Sequence, residues 1–266
     1  MKWKLRTSFP QDNQVNQLMK AIDVQYEIAY LLVTRGVKDY DSAKRYFRPN
    51  KDDLHDPFIM LDMIKAVERI HKAIHNQEKI MIFGDYDVDG TTAVTLVYSY
   101  LKDYLPIIYY IPDRYSEGYG VSKKSIDIAK KEKVSLIISL DCGINAIDNI
   151  SYAKKNKIDF IVCDHHIPGK KKPDAIAILN PKQTGCNYPF KELSGCGIGF
   201  KLVHALEEKR SGNIKDISHL FDLVAMSIAA DMVELTDENI ISQLVLALRL
   251  NAFYRYCCNW MISWYY

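Results

Sequence analysis

The feature that most constrains this chain is a repeat of short apolar runs: KIMIF (79–83), PIIYYI (106–111), VSLIISL (134–140), DFIVC (159–163) and AIAIL (175–179). Helical segments ending in polar residues separate the first four. Uninterrupted apolar strands that alternate with helices imply an α/β fold, a parallel sheet with helices on both faces. Ahead of the sheet, QVNQLMKAI, VQYEIAYLLVTRG and DSAKRYF show helical periodicity, closed by Gly36 and stopped by Pro49, which predicts a small helical N-terminal segment. A polar, Pro-containing link then leads to LDMIKAVERIHKAIHNQ, where Met63, Ala66, Val67, Ile70 and Ile74 share one helical face. The expected division is a cap and linker over 1–60, a catalytic α/β domain over 61–235 and a tail over 236–266.

In an open parallel sheet the loops leaving the carboxyl ends of the strands converge on one crevice. Those loops carry most of the chain's clustered acids. Asp85, Asp87 and Asp89 follow the first run in GDYDVDG, Asp141 follows the third in LDCGI, and Asp164, His165 and His166 follow the fourth in CDHHIPG. Asp231, in ADMVELTDEN after a later helix, could close the group. Carboxylates this close repel one another unless a cation lies among them. Carboxylates with one or two imidazoles suit Mn²⁺ or Mg²⁺, whereas structural zinc would use thiolates. Two such ions about 3.5–4 Å apart can activate a water and stabilise both the attacking and leaving oxygens at phosphorus. Gly90 is expected to let the chain turn tightly, with the TTAVTLVYSYL helix starting beside the site. An EF-hand also begins DxDxDG, but its twelfth position needs a bidentate Glu where this chain has Leu96, and a strand precedes the loop. Two adjacent histidines alone would more often cap a loop. Their place at a strand end, with Asp164 able to orient a ring, favours a ligand role.

Composition adds boundaries. The 266 residues, 48% hydrophobic and 26% charged, suffice for one large α/β domain or two small ones. A net charge of +2 neither announces nor opposes a nucleic-acid partner. The six cysteines form no CxxC pair, which fits reduced thiols, and no run is long enough to span a bilayer. A soluble, cytoplasmic protein with no membrane partner and no organic cofactor is expected; the oligomeric state is left open.

GDYDVDGTTA, SLDCG, CDHHIPG, NPKQTGCNYPFKELSGCGIGFKL and DMVELTDEN, in this order and spacing, resemble the successive motifs of the RecJ branch of the DHH phosphoesterase superfamily. The resemblance spans roughly residues 50 to 240. Other branches tend to open with a His-containing HxxPDxD pattern, unlike the GDYDVDG here. It implies a metal-dependent 5′→3′ exonuclease on single-stranded DNA, acting in recombination and repair, with Mn²⁺ or Mg²⁺ as cofactor, two ions in all. By that resemblance Asp89, Asp141, His165 and Asp231 hold one ion, and Asp87, with Asp141 as bridge and Asp85 nearby, serves the second. His166 contacts the scissile phosphate, with Asp164 as its supporting carboxylate. For DNA, IPDRYSEGYG offers Arg114 to a phosphate and Tyr115 or Tyr119 to a base. SGCGIGFK places Ser194, Gly195 and Gly197 ahead of a helix, with amides suited to phosphate. Lys170, Lys171 and Lys172 read as a solvated loop.

The chain departs from that pattern at its end. Chains of this branch continue into a domain that closes the cleft and then an oligonucleotide-binding barrel. Their fifth motif runs close to DVVPLxGENR, where Glu234, Asp237 and Ile240 replace Pro, Gly and Arg here. NAFYRYCCNWMISWYY carries a single charge and dense aromatics. The expectation is a shortened or frame-disrupted copy, its family sequence ending near residues 247–249, that keeps the metal site and loses processive grip on DNA. The alternatives are a phosphoesterase for short oligonucleotides or cyclic dinucleotides, and a non-catalytic DNA-binding remnant.

Overall fold

The computed structural model describes residues 10–50 and 53–240. The expected foreign tail after Leu250 lies outside the described residues. The chain divides into two compact units, residues 1–54 and 55–266.

The first unit holds three helices: α1 (Asp12–Ile22), α2 (Tyr26–Thr34) and α3 (Tyr40–Phe47). Val15, Leu18, Ala29, Leu32, Val37 and Ala43 form its small core. Asp39 and Ser42 make a reciprocal capping box that starts α3, satisfying amides the helix cannot pair itself.

The second unit begins with a 3₁₀ turn (Pro57–Ile59) and α4 (Met63–His75). Then follow β1 (Ile80–Gly84), α5 (Val88–Leu101), β2 (Ile107–Tyr110), α6 (Lys123–Lys131), β3 (Leu136–Leu140), α7 (Ile147–Lys155), β4 (Asp159–Cys163), β5 (Ala177–Leu179), α8 (Gly195–Lys209) and α9 (Phe221–Asp231). All pairings are parallel, in the order β2-β1-β3-β4-β5. Every residue of β1, β3 and β5 is buried, as strands covered on both faces require. On one face Met81, Phe83, Ile137, Phe160 and Val162 pack with residues of α6 and α7; α4, α5 and α8 contact strands of the same sheet, with α9 packed on α5 and α8. The face of α4 is as read from the sequence except that Ala73 is buried and Ile74 only half so.

Strand order reverses direction between β1 and β3, and the crevice of a doubly wound sheet opens where that happens. Asp85 leaves β1 and Asp141 leaves β3 at this point. The register aligns Gly84 with Leu140, so the two carboxylates emerge side by side. At the opposite edge, before the strands begin, Arg69 of α4 bonds Asp159 at 2.6 Å and Glu78 at 2.7 Å, and Ser135 bonds the same Glu78 at 2.5 Å.

One expectation is corrected here. Gly90 does not make a turn: α5 starts earlier, at Val88, so Gly90 lies inside its first turn. Glycine is needed because a Cβ there would collide with the carbonyl oxygen of Asp85. Glu238 and Asn239, in the stretch the sequence reading gave to the tail, are buried. The cysteines among the described residues, Cys142, Cys163, Cys186 and Cys196, are free and buried as expected.

Candidate metal centre

The carboxyl edge brings together two neighbouring groups of ligand atoms. Asp89, His165 and Asp231 have such atoms within 4.8 Å of one another, as do Asp85, Asp87 and Asp141. His165 Nε2 joins the groups, lying 3.1 Å from Asp141 Oδ1, 3.6 Å from Asp231 Oδ2 and 3.8 Å from Asp89 Oδ2. Asp85 Oδ1, Asp141 Oδ1 and His165 Nε2 are buried without a hydrogen-bond partner among the described residues. The 3.1 Å contact is close for charge but not aligned as a hydrogen bond. Native proteins rarely leave such atoms unpaired, and divalent cations among these groups would satisfy them. The donor set of hard oxygens and one imidazole therefore fits Mn²⁺ or Mg²⁺.

Each acid is held by a different local device. Asp87 caps α5, accepting from Gly90 N–H at 2.9 Å, and remains exposed. Asp89, in the first turn of the same helix, is 2% exposed and accepts three bonds: from the Gly195 and Cys196 amides at 2.7 Å each and from Ser227 Oγ at 2.7 Å. Asp141 sits at φ +58°, a left-handed conformation unusual for a residue with a Cβ, and its N–H donates to Cys163 O. Such conformations concentrate at functional sites. Gly195 packs against it so closely that a Cβ would lie 2.6 Å from the Asp141 Cβ.

The two histidines divide. His165 faces the acids, while His166 turns Nδ1 to Asp164 Oδ1 at 2.7 Å, which leaves Nε2 on the far side of the ring. Asp164 also accepts from the Ile144 and His166 amides. Burial alone would raise its carboxyl, but these bonds outweigh it and hold it below the usual range. The Asp164 hydrogen bond, against burial, lifts His166 to about 9, so it is a cation at neutral pH. Burial pushes Asp141 up to about 7, with Asp89 and Asp87 adding repulsion and His165 opposing. Burial also raises Asp85 and Asp89. His165 is raised although burial opposes it, by Asp141 and Asp89.

The DNA-facing expectations fare unevenly. Tyr119 comes to the site, its hydroxyl donating to Asp141 O at 3.1 Å and lying 3.4 Å from His166 Nδ1. Arg114 stacks 5.3 Å over Tyr86, in the loop that leaves β1. Tyr115 is 95% exposed. The turn at Ser194, Gly195 and Gly197 is not open to phosphate: Gly195 N–H is taken by Asp89, Gly197 N–H by Ser194 Oγ, and Ser194 is fully buried. Helix amides do meet an anion there, but it is the protein's own carboxylate. The sequence reading missed Ser227. Its signal was spacing, since Ser227 and Asp231 stand four apart on one face of α9.

A second acid and histidine group, His55, Asp237 and Glu238, also falls within ligand reach. There the positive charge is already supplied by Lys201, 2.6 Å from Glu238.

A doubly wound parallel sheet with carboxylates and a histidine gathered at its switch point defines the class of protein. The chain belongs to the DHH family: the model of its N-terminal domain matches residues 79–228. It is 42% identical over 240 residues to the single-stranded-DNA-specific exonuclease RecJ of Bacillus subtilis, covering 90% of this chain and 30% of that one. It is 35% identical to the Escherichia coli exonuclease of the same name, covering 79% of this chain and 37% of the relative. The chain thus spans about a third of the length of the curated relatives it matches. A solved exonuclease RecJ bound to manganese superposes with a TM-score of 0.63 at 29% identity, covering 69% of this chain and 46% of that one. Among the described residues no helix is long and apolar enough to cross a membrane.

Proposed function

We propose that this chain carries the metal-dependent phosphodiesterase centre of a single-stranded-DNA exonuclease of the RecJ kind, acting 5′→3′ in recombination and repair. The observation that carries the reading is the trio of orphaned buried atoms on Asp85, Asp141 and His165 among converging carboxylates. Asp89, Asp141, His165 and Asp231 would hold one Mn²⁺ or Mg²⁺, and Asp85, Asp87 and Asp141 a second. Such ions, when bound, lower the pKa of a coordinated water and neutralise charge on phosphate oxygens.

The chain's own groups do the rest. Asp164 fixes the His166 proton on Nδ1 and keeps the ring cationic, so Nε2–H can donate to a non-bridging phosphate oxygen. Tyr119 and Asp164 hold that ring from two sides. The exposed side chains of Val88, Tyr115, Tyr119 and Ile167 give an apolar rim to the loops at this edge, and Arg114 adds a cation, a combination that suits splayed bases and a backbone phosphate in a single strand. Nothing in this arrangement reads a particular base.

The test is hydrolysis of 5′-phosphorylated single strands, duplexes and dinucleotides with Mn²⁺ or Mg²⁺. Hydrolysis of single strands that Asp141→Asn abolishes supports the reading. Cleavage of dinucleotides alone would identify a short-oligonucleotide phosphoesterase, and DNA binding with no cleavage in either ion would leave a binding module.

A further inference from the structure

Asp231 is the acid of the proposed metal centre that has neither burial nor, among the described residues, a hydrogen bond to its carboxylate. Asp89 is fixed by three donated hydrogen bonds, Asp164 by two amides and His166, Asp87 by its cap and Asp141 by close packing against Gly195. No hydrogen bond to the Asp231 carboxylate is found among the described residues; it lies 3.6 Å from His165 Nε2. It is also the last residue of α9, a third exposed at the side chain, and the next residue, Met232, turns into the left-handed region at φ +51°. Its aim depends on the path the chain takes immediately afterwards.

That path is tied down a short way on. Glu238, 3% exposed, meets Lys201 of α8 at 2.6 Å, accepts from Tyr188 Oη at 2.5 Å and accepts from the His55 amide at 3.2 Å. Lys201, 1% exposed, also donates to His55 O at 2.9 Å and lies 5.6 Å over the Tyr188 ring. Asn239 donates to Glu192 O at 2.9 Å and to Glu234 O at 2.8 Å, closing the intervening loop on itself. Asp237, at φ +50°, reaches back to His55 Nε2 at 2.9 Å. One buried cation thus gathers distant segments of the chain and the stretch that follows Asp231.

The geometry points to Lys201, Glu238 and Asn239 as positioning residues that set the Asp231 carboxylate at the metal centre through the 232–240 segment. They touch neither substrate nor ion. This rests on the reading of the site as a divalent-cation centre. A buried ion pair is weak evidence of net stability, since two apolar residues could fill the same space; its distinctive property is fixed geometry.

The experiment is Mn²⁺ titration of the full chain by calorimetry, with unfolding of the metal-free protein followed in parallel. Glu238→Gln, Asn239→Ala and the milder Tyr188→Phe are each made alone and on an Asp231→Ala background. Glu238→Gln and Asn239→Ala are expected to weaken Mn²⁺ binding roughly tenfold in the wild-type background, as loss of a ligand's support does. They should weaken it no further once Asp231 is absent, because the effect runs through that residue. Should Glu238→Gln not fold, Tyr188→Phe and Asn239→Ala carry the same comparison. Unchanged Mn²⁺ affinity in a variant whose metal-free stability has dropped would show a purely structural tie and overturn the inference. So would a loss of equal size on the Asp231→Ala background. Wild-type protein that binds no Mn²⁺ would instead overturn the reading of the centre itself.

Discussion

Asp141 combines a left-handed backbone, deep burial and an unpaired oxygen, three unfavourable conditions in one residue. The conformation alone costs about 1 kcal/mol in a residue with a Cβ, less for Asp or Asn than for others. Asp141→Asn keeps shape and backbone preference and removes the charge. It should fold with metal-free stability equal to or above wild type while losing Mn²⁺-induced stabilisation, both read by thermal unfolding with and without the ion. The charge also sets a pH dependence. The Asp141 carboxyl, raised from 3.8 to about 7, favours the folded state in its protonated form, so that contribution is lost as pH rises through about 7. His166, raised from 6.5 to about 9, contributes fully below about 6.5 and is lost as pH rises through about 9. Both signs agree: metal-free protein should melt at a lower temperature at pH 8.5 than at pH 6. Mn²⁺ must displace the Asp141 proton and that of His165, which is also raised, so its affinity should climb by about tenfold or more per pH unit below pH 7. A flat affinity profile from pH 5.5 to 8 would remove Asp141 from the ligand set. That these acids would gather was legible in the sequence, because loops leaving the carboxyl ends of parallel strands converge. The Asp89 cradle was not, since an N–H that serves a carboxylate and one that serves a phosphate look alike in sequence.

At the scale of elements, sheet ends separate two kinds of residue, and substitutions at each should separate likewise. Arg69 ties α4 to the amino ends of the strands through Glu78 and Asp159, with its side chain 9% exposed. Arg69→Met should cost about 3 kcal/mol in urea unfolding, from charged hydrogen bonds lost and Glu78 left in a half-buried place. Its Mn²⁺ affinity should match wild type, because the centre lies at the other edge. Gly90→Ala should do the opposite. The added methyl meets the backbone of Asp85, so α5 must shift away from β1, costing about 1–3 kcal/mol and displacing Asp85, Asp87 and Asp89 together. Mn²⁺ binding weaker than in Arg69→Met, despite a smaller or equal loss of stability, is the expected pattern in a paired titration. Helices and strands were largely legible because burial on both faces leaves an uninterrupted apolar run. The start of α5 was not: Asp87 and Val88 carry no breaker or proline, and a DxDxDG string suggests a loop until the cap at Asp87 is seen.

Across the whole molecule, loops and a helix end drawn from residues 85 to 231 meet at one strand-order reversal, and the parallel order could be read from the sequence while the reversal could not. Strand order is fixed by which faces the helices cover, a property of the assembled sheet. The departure at Asp237 is similarly clear only in three dimensions: the position demands φ +50°, which glycine meets without strain, and Asp gains a contact to His55 in exchange. If cations organise the edge, their effect must be confined to it. Mn²⁺ at about 100 times its Kd should stabilise the native state by about 2.7 kcal/mol. In a unit of this size that corresponds to roughly 5–10 °C in Tm. Amide hydrogen exchange gives the finer test. Protection should rise at residues 85–92, 141–144, 164–166, 195–197 and 227–231, where backbone and ligand are joined, and stay unchanged in α1 to α3, whose core shares no residue with the centre. Equal protection throughout the chain would mean that the ion acts on global stability by some other contact, and protection confined to the exposed acids at the surface would mean that it never enters among the buried ones.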